Sequence, residues 1–277
     1  MKVKGENLRC TMGTRGLDEI LGGGLPRNRV YLIQGDPGVG KTTLALKFLL
    51  EGARLGEVGL YITLSETKEE LEMVADSHGW DLTKIKLFEL SSVEDRLRRE
   101  TDSTFFHPSE VELNRTTQAL LDEVERIKPT RVVFDSLSEM RMLAETPLRY
   151  RRQILQLKQY FAGRKCTVLL LDDRSAGARD LQIESIAHGV LCLYRSSPEY
   201  GIARRQLEVQ KVRGVKFREG NHDFVIEPGG LVIFPRLVAA EHHVNFKRDM
   251  FSSGIPELDA LLGGGLDRGT STILLSK

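Results

Sequence analysis

Cysteine is scarce in this sequence: Cys10, Cys166 and Cys192 are odd in number and far apart. That spacing excludes a disulfide framework and gives neither zinc-finger nor thioredoxin geometry; it fits a reducing cytoplasm. Net charge is nearly absent, with 40 Lys+Arg against 39 Asp+Glu. A balance this even argues against a protein that coats nucleic acid by charge alone. No apolar run approaches the ~20 residues of a membrane span, and the opening MKVKGENLRC has no apolar signal core, which speaks against membrane insertion and secretion. Against these absences, 40% of the 277 residues are hydrophobic and 29% charged, the profile of a globular protein. The length suits one large domain or two small ones, and a domain above ~200 residues buries enough surface to need no metal or disulfide staple.

Glycine is plentiful, and it repeats. Residues 17–27 read LDEILGGGLPR and residues 258–268 read LDALLGGGLDR, with Gly13 and Gly254 standing just upstream of each. Two copies of one segment predict tandem domains. The first domain is expected over 1–240. Residues 241–277 then hold a linker and the opening of a second copy, which stops where the first runs into a glycine-rich loop. The linker near Leu237–Asp249 carries His242 and His243, with no Cys or further His at ligand spacing, so it reads as solvated chain.

The apolar run VYLIQ (30–34) predicts a buried strand. It leads into GDPGVGKTT, which satisfies G-x-x-x-x-G-K-[ST] through Gly35, Gly40, Lys41 and Thr42. Glycines let successive backbone N–H groups, here those of Asp36, Gly38, Val39 and Gly40, curl around an anion, with Pro37, which has no N–H, a member of the same cofactor-binding loop. Lys41 is placed to reach β- and γ-phosphates, Thr42 to ligate Mg²⁺, and Thr43 to open a Leu- and Ala-rich helix over 43–55 that Gly56 ends.

VGLYITL (58–64) predicts a second strand that ends in Ser65-Glu66-Thr67, with Thr67 and Glu70 forming a capping box for the next helix. Glu66 therefore stands at the C-terminal edge of a strand, where open α/β sheets hold ligands, and can orient the water that attacks the γ-phosphate. The competing reading is a solvated glutamate favoured by the helix dipole. RVVFDS (131–136), preceded by a helix over 116–129, ends in Asp135, a carboxylate suited to hold Mg²⁺ through water. TVLLL (167–171) ends in Asp172-Asp173-Arg174, whose carboxylates either sense the γ-phosphate or pair with Arg174; the second is favoured.

The last third changes character. HGVLCLYR, RRQLEVQKVRG, HDFVIE and LVIFP read as a β-meander. Lys211 and Arg213 alternate at a strand end and so point to one side.

With these residues in hand, the chain resembles the KaiC family of RecA-like P-loop ATPases. The resemblance covers 12–236 as a whole domain and 251–277 as the start of another. It rests on GLDEILGGGLP, GDPGVGKTT, LSET, FDS, and QKVRG followed by FVIEPGGLVIFP in that order. It implies an α/β, RecA-like fold with a mostly parallel sheet and a C-terminal β-meander. It implies slow hydrolysis of ATP with Mg²⁺ and assembly of the chain into a homo-oligomeric ring, a hexamer. Where the family has two adjacent glutamates after the second strand, this chain has Ser65 and Glu66. The family's adenine-side serine corresponds to Ser77, before His78-Gly79-Trp80, and its trans-acting Lys-x-Arg to Lys211 and Arg213. The family's phosphorylated Ser/Thr pair belongs to the second domain, so autophosphorylation is not expected here.

The leading expectation is an ATP-hydrolysing signalling or timing switch with a protein partner. Two others stand beside it. One is a DNA-associated RecA relative, for which Arg149, Arg151 and Arg152 are the candidate cations, although Leu148, Ile154, Leu155 and Leu157 make them the wet face of an amphipathic helix. The other is an ATP-bound scaffold whose hydrolysis is vestigial because of Ser65. The segment 100–113 reads as a partner-binding loop or as a loop closed over the core.

Overall fold

Apolar strands alternating with amphipathic helices dictate a sheet covered on both faces. The computed structural model describes residues 8–89, 108–174, 181–238 and 249–275. The linker core 239–248 and the segment 100–107 lie outside them, as do the side chains of 108–116. The chain divides into two compact units, 1–236 and 237–277.

In the first unit the short strands β1 (Arg9–Cys10) and β2 (Leu25–Pro26) pair around α1 (Leu17–Ile20). Then follow β3 (Val30–Gly35), α2 (Lys41–Arg54), β4 (Gly59–Thr63), α3 (Lys68–Ser77), β5 (Ile85–Glu89), α4 (Pro108–Ile127) and β6 (Arg131–Asp135). After these come α5 (Leu137–Ala144), α6 (Pro147–Ala162), β7 (Thr167–Asp173), α7 (Leu181–Ile186) and β8 (Gly189–Ser196). The unit ends with β9 (Arg204–Val212), β10 (Asn221–Glu227) and β11 (Gly230–Phe234). The sheet runs β11-β10-β9-β8-β3-β7-β6-β4-β5. From β8 to β5 every pairing is parallel; from β8 to β11 every pairing is antiparallel, the expected meander.

All six residues of β3 are buried, because this central strand is covered twice. Tyr31 and Ile33 enter one core with Leu44, Phe48 and Leu49 of α2, while Val30 and Leu32 enter the other with Ile154, Leu157 and Phe161 of α6. The helix over 116–129 begins earlier than its apolar pattern shows and occupies 108–127.

Arg131, at the start of β6, is wholly buried. Its guanidinium donates to the carbonyls of Thr11 (2.7 Å) and Phe48 (2.8 Å), pairs with Glu57 at 2.5 Å and lies over the Phe48 ring. Gly52 leaves it room, since a Cβ there would stand 2.5 Å from Arg131 Cδ. The opening segment is thereby tied to α2.

The second unit repeats the first unit's opening. Strands β12 (Met250–Phe251) and β13 (Leu266–Asp267) pair in the register that β1 and β2 use, around α8 (Pro256–Leu261). The Asp18 carboxylate accepts the N–H groups of Met12 (2.7 Å) and Gly13 (3.1 Å); Asp259 accepts the Ser253 N–H (2.8 Å) in the same way. Gly22, Gly23 and Gly24 have positive φ, as do Gly263, Gly264 and Gly265.

Candidate nucleotide site

Strand β3 delivers the chain to Gly35, and the loop Asp36-Pro37-Gly38-Val39-Gly40 turns it into α2. Gly38 (φ 72°) and Gly40 (φ 115°) occupy the left-handed region that a Cβ disfavours. Val39 is buried and anchors the loop, while Asp36, Pro37 and Gly38 are exposed. The helix starts at Lys41, two residues before the expected onset, so Lys41 and Thr42 form its first turn and Thr43 packs inward. An N-terminal helix turn beside such a loop favours an anion.

Lys41 is 8% exposed. Its ammonium donates to the carbonyls of Gly35 (2.9 Å) and Asp36 (3.1 Å) and pairs with Asp173 at 2.6 Å. Thr42 Oγ1 donates to Asp135 Oδ2 at 3.4 Å, and Tyr61 donates to the same oxygen at 2.5 Å. Burial pushes the Asp135 carboxyl up from the ordinary value, opposed by the Tyr61 bond and the Lys41 charge.

Glu66 is pinned by a local turn. Its N–H donates to Thr63 Oγ1 (2.9 Å), whose hydroxyl donates back to the Glu66 carbonyl (2.8 Å). Thr63 is the register partner of Asp135, which sets Glu66 beside the site. Glu66 Oε2 is buried without a hydrogen-bond partner among the described residues. Burial, then the Asp135 and Glu70 charges, raise this carboxyl to about 7, against the pull of Lys41. The capping box of Thr67 and Glu70 forms as expected and starts α3.

Asp172 and Asp173 take cations other than the expected Arg174. Asp172 is buried and pairs with Arg141 at 3.0 Å, Asp173 pairs with Lys41, and Arg174 lies over the Tyr194 ring. Strand alternation turns Asp173 away from the neighbouring Arg174, and Asp172 is taken up by Arg141 of α5.

Ser77 closes α3, far along the helix from Glu66. It is exposed and its hydroxyl donates to the Val74 carbonyl at 2.7 Å. Beyond it His78 stacks on Trp80, Lys47 of α2 lies over that ring, and Gly230 at the start of β11 accommodates it.

Lys211 and Arg213 do point to one side, but away from this P-loop. Strand β9 runs against β3, and Val212 faces Gly189, which faces Tyr31 near the start of β3. Lys211 donates to the Glu184 carbonyl and Arg213 to that of Ser185 (2.8 Å), both in the last turn of α7. Lys158 donates to Ile186 there at 2.7 Å, so three cations gather at one helix C-terminus. Sequence patterns gave no warning of Lys158, Tyr61 or the Lys41–Asp173 pair, because each is a contact between distant segments.

A mostly parallel sheet with helices on both faces, a glycine loop on its central strand and a carboxylate ending a nearby strand define a RecA-like P-loop nucleotide-binding fold. A family model described as "ATPase: KaiC" matches residues 10–238, and the chain belongs to the KaiC family. It is 30% identical over 235 residues to a UPF0273 protein of Pyrococcus furiosus, covering 82% of this chain and 94% of that one. It is also 30% identical over 263 residues to the circadian clock oscillator protein KaiC of Synechococcus elongatus, covering 90% of this chain and 48% of the other; it spans about half of that relative's length. The crystal structure of a KaiC-like protein from Pyrococcus horikoshii superposes with a TM-score of 0.68 at 26% identity, covering 82% of this chain and 99% of that one. No helix among the described residues is long and apolar enough to cross a membrane.

Proposed function

We propose that this chain binds Mg·ATP at Lys41, Thr42 and Asp135 and hydrolyses it slowly, with Glu66 as the base. The observation that carries the reading is Glu66 itself: a carboxylate raised to about 7, with a buried oxygen that no group among the described residues satisfies, beside the P-loop lysine. A base titrating near neutrality is matched to taking a proton from water.

The donor set fits a hard cation. Thr42 Oγ1 and Asp135 Oδ2 already stand in contact, and oxygen donors are what Mg²⁺ takes. Mg²⁺ held by Thr42 and Asp135 would supply neutralisation of the phosphate charge. Lys41 binds the same phosphates, the loop N–H groups of Asp36, Gly38, Val39 and Gly40 orient them, and Thr43 holds the helix turn in the core. Ser77 lies on the adenine side by resemblance to the family.

The same resemblance supports a hexameric ring in which Lys211 and Arg213 reach a neighbour's γ-phosphate, and a role as a signalling or timing switch in the cytoplasm. Their place at the end of the sheet remote from the chain's own P-loop favours action in trans. To do this they must leave the α7 carbonyls. The DNA reading has less support, since Arg149 pairs with Glu145 and α6 buries Tyr150, Ile154 and Leu157 on its other face. The scaffold reading and the enzyme reading part on one measurement. Phosphate release, followed together with size in the presence and absence of ATP, is expected to show turnover and ATP-dependent assembly. Release no faster than that of Glu66→Gln refutes the enzyme, and an unchanged monomer refutes the ring.

A further inference from the structure

The geometry points to Asp173 as an exchangeable counter-ion of Lys41: its carboxylate holds the ammonium while no nucleotide is bound and yields it to the incoming phosphate. This inference rests on the nucleotide reading of the site.

An ammonium has three donors. Here all three are engaged, by the Gly35 carbonyl, the Asp36 carbonyl and Asp173. Two of those partners are neutral dipoles belonging to the loop. Asp173 alone brings a full opposite charge, so it is the partner that a phosphate oxygen replaces with least electrostatic change.

The two carboxylates at the end of β7 differ in freedom. Asp172 is 1% exposed and fixed by Arg141 and Gln34. The Asp173 side chain is 39% exposed, and its other partner among the described residues is Ser138 Oγ at 3.4 Å, so water can take it up when the lysine is lost. Its position is set by the sheet, because Asp173 faces Gly35 across the β3–β7 pairing and therefore stands at the mouth of the loop.

Exchange has a consequence for metal dependence. Displaced Asp173 stays near Asp135 and Glu66, whose carboxyls it already pushes up. Three carboxylates then face the nucleotide, with Lys41 shared among phosphate oxygens. A metal-free nucleotide meets this repulsion in full, and a magnesium complex meets little of it. Asp173 thus sharpens the preference for Mg·ATP by disfavouring metal-free ATP.

Calorimetric titration of ATP into the full chain, once with Mg²⁺ and once with EDTA, tests this. Asp173→Asn is expected to bind metal-free ATP about tenfold tighter than wild type and to gain much less with Mg²⁺, so that the ratio of the two affinities shrinks. Asp173→Ser is expected to move the same way, and Asp173→Glu to restore the wild-type ratio. A merely structural role for Asp173 would weaken both affinities together and leave the ratio unmoved. Wild type that binds Mg·ATP, with both neutral variants binding metal-free ATP no tighter, overturns the exchange and spares the nucleotide reading. Wild type that binds no nucleotide removes both.

Discussion

Tyr61 donates its hydroxyl to Asp135 Oδ2 at 2.5 Å, from the middle of β4 to the end of β6. Both residues are buried, and burial with the Asp135 charge keeps the phenol protonated, so it acts as a fixed donor. A hydrogen bond to a charged group contributes about 1.5–3 kcal/mol. Tyr61→Phe is therefore expected to weaken Mg·ATP binding roughly tenfold. Without the donor, burial raises the Asp135 carboxyl further, so the loss grows at pH 6 relative to pH 8. Calorimetry at both pH values checks this.

Lys41→Ala is expected to abolish tight Mg·ATP binding. The ammonium is the full positive charge at the loop, and its removal also leaves Asp173 facing the phosphates. Wild-type affinity in the variant refutes the assignment.

Glu66→Gln is expected to keep nucleotide binding and slow hydrolysis roughly 10²-fold or more. In wild type, turnover falls on the acid side of about 7, where Glu66 becomes protonated. Stability gives an independent reading. The folded carboxyl titrates near 7 against 4.5 ordinarily, so the folded state holds the proton more tightly and wild type loses stability as pH rises through that interval. The variant carries no such cost. At pH 8 it is expected to be the more stable by about 1–2 kcal/mol, after discounting for solvent screening, and the gain vanishes near pH 4.5. Urea unfolding at both pH values measures it.

Arg213→Ala is expected to depress ATP-dependent assembly and hydrolysis while the subunit still folds. Mixed with Lys41→Ala it is expected to recover part of the activity, because one interface then joins an intact loop to an intact Arg213. A phosphate-release titration of the two variants at fixed total protein shows this. If Arg213→Ala alone is as active and as oligomeric as wild type, the trans role is wrong.

Local pattern and distant pairing divide what the residues disclose. The strand before Gly35, the capping box at Thr67 and Glu70, and the strand ending in Asp135 are written in contiguous sequence, and all three form. The repeat of 17–27 in 258–268 extends to matching clamps at Asp18 and Asp259, since those too are local. What stayed hidden depends on which strands become neighbours. Asp173 meets Lys41 only because β7 lies beside β3, and a reading along the chain paired it with Arg174 instead. Tyr61 meets Asp135 only because β4 lies beside β6.

The reversal of direction between β8 and β9 constrains a ring in which one copy's cations serve another's P-loop. It puts the P-loop toward one end of the sheet and Lys211 and Arg213 toward the other, about 13 Å apart along β3 from the level of Tyr31 to Gly35 at strand rise. Any contact that brings one copy's cations to another's loop uses two unlike surfaces. A two-fold dimer, which matches a patch to itself, has no need of this head-to-tail contact. Each copy added in this way leaves one unmatched end of each kind. The rotation per step then decides the outcome: a turn that divides a full circle closes the assembly, and any other extends it as a filament.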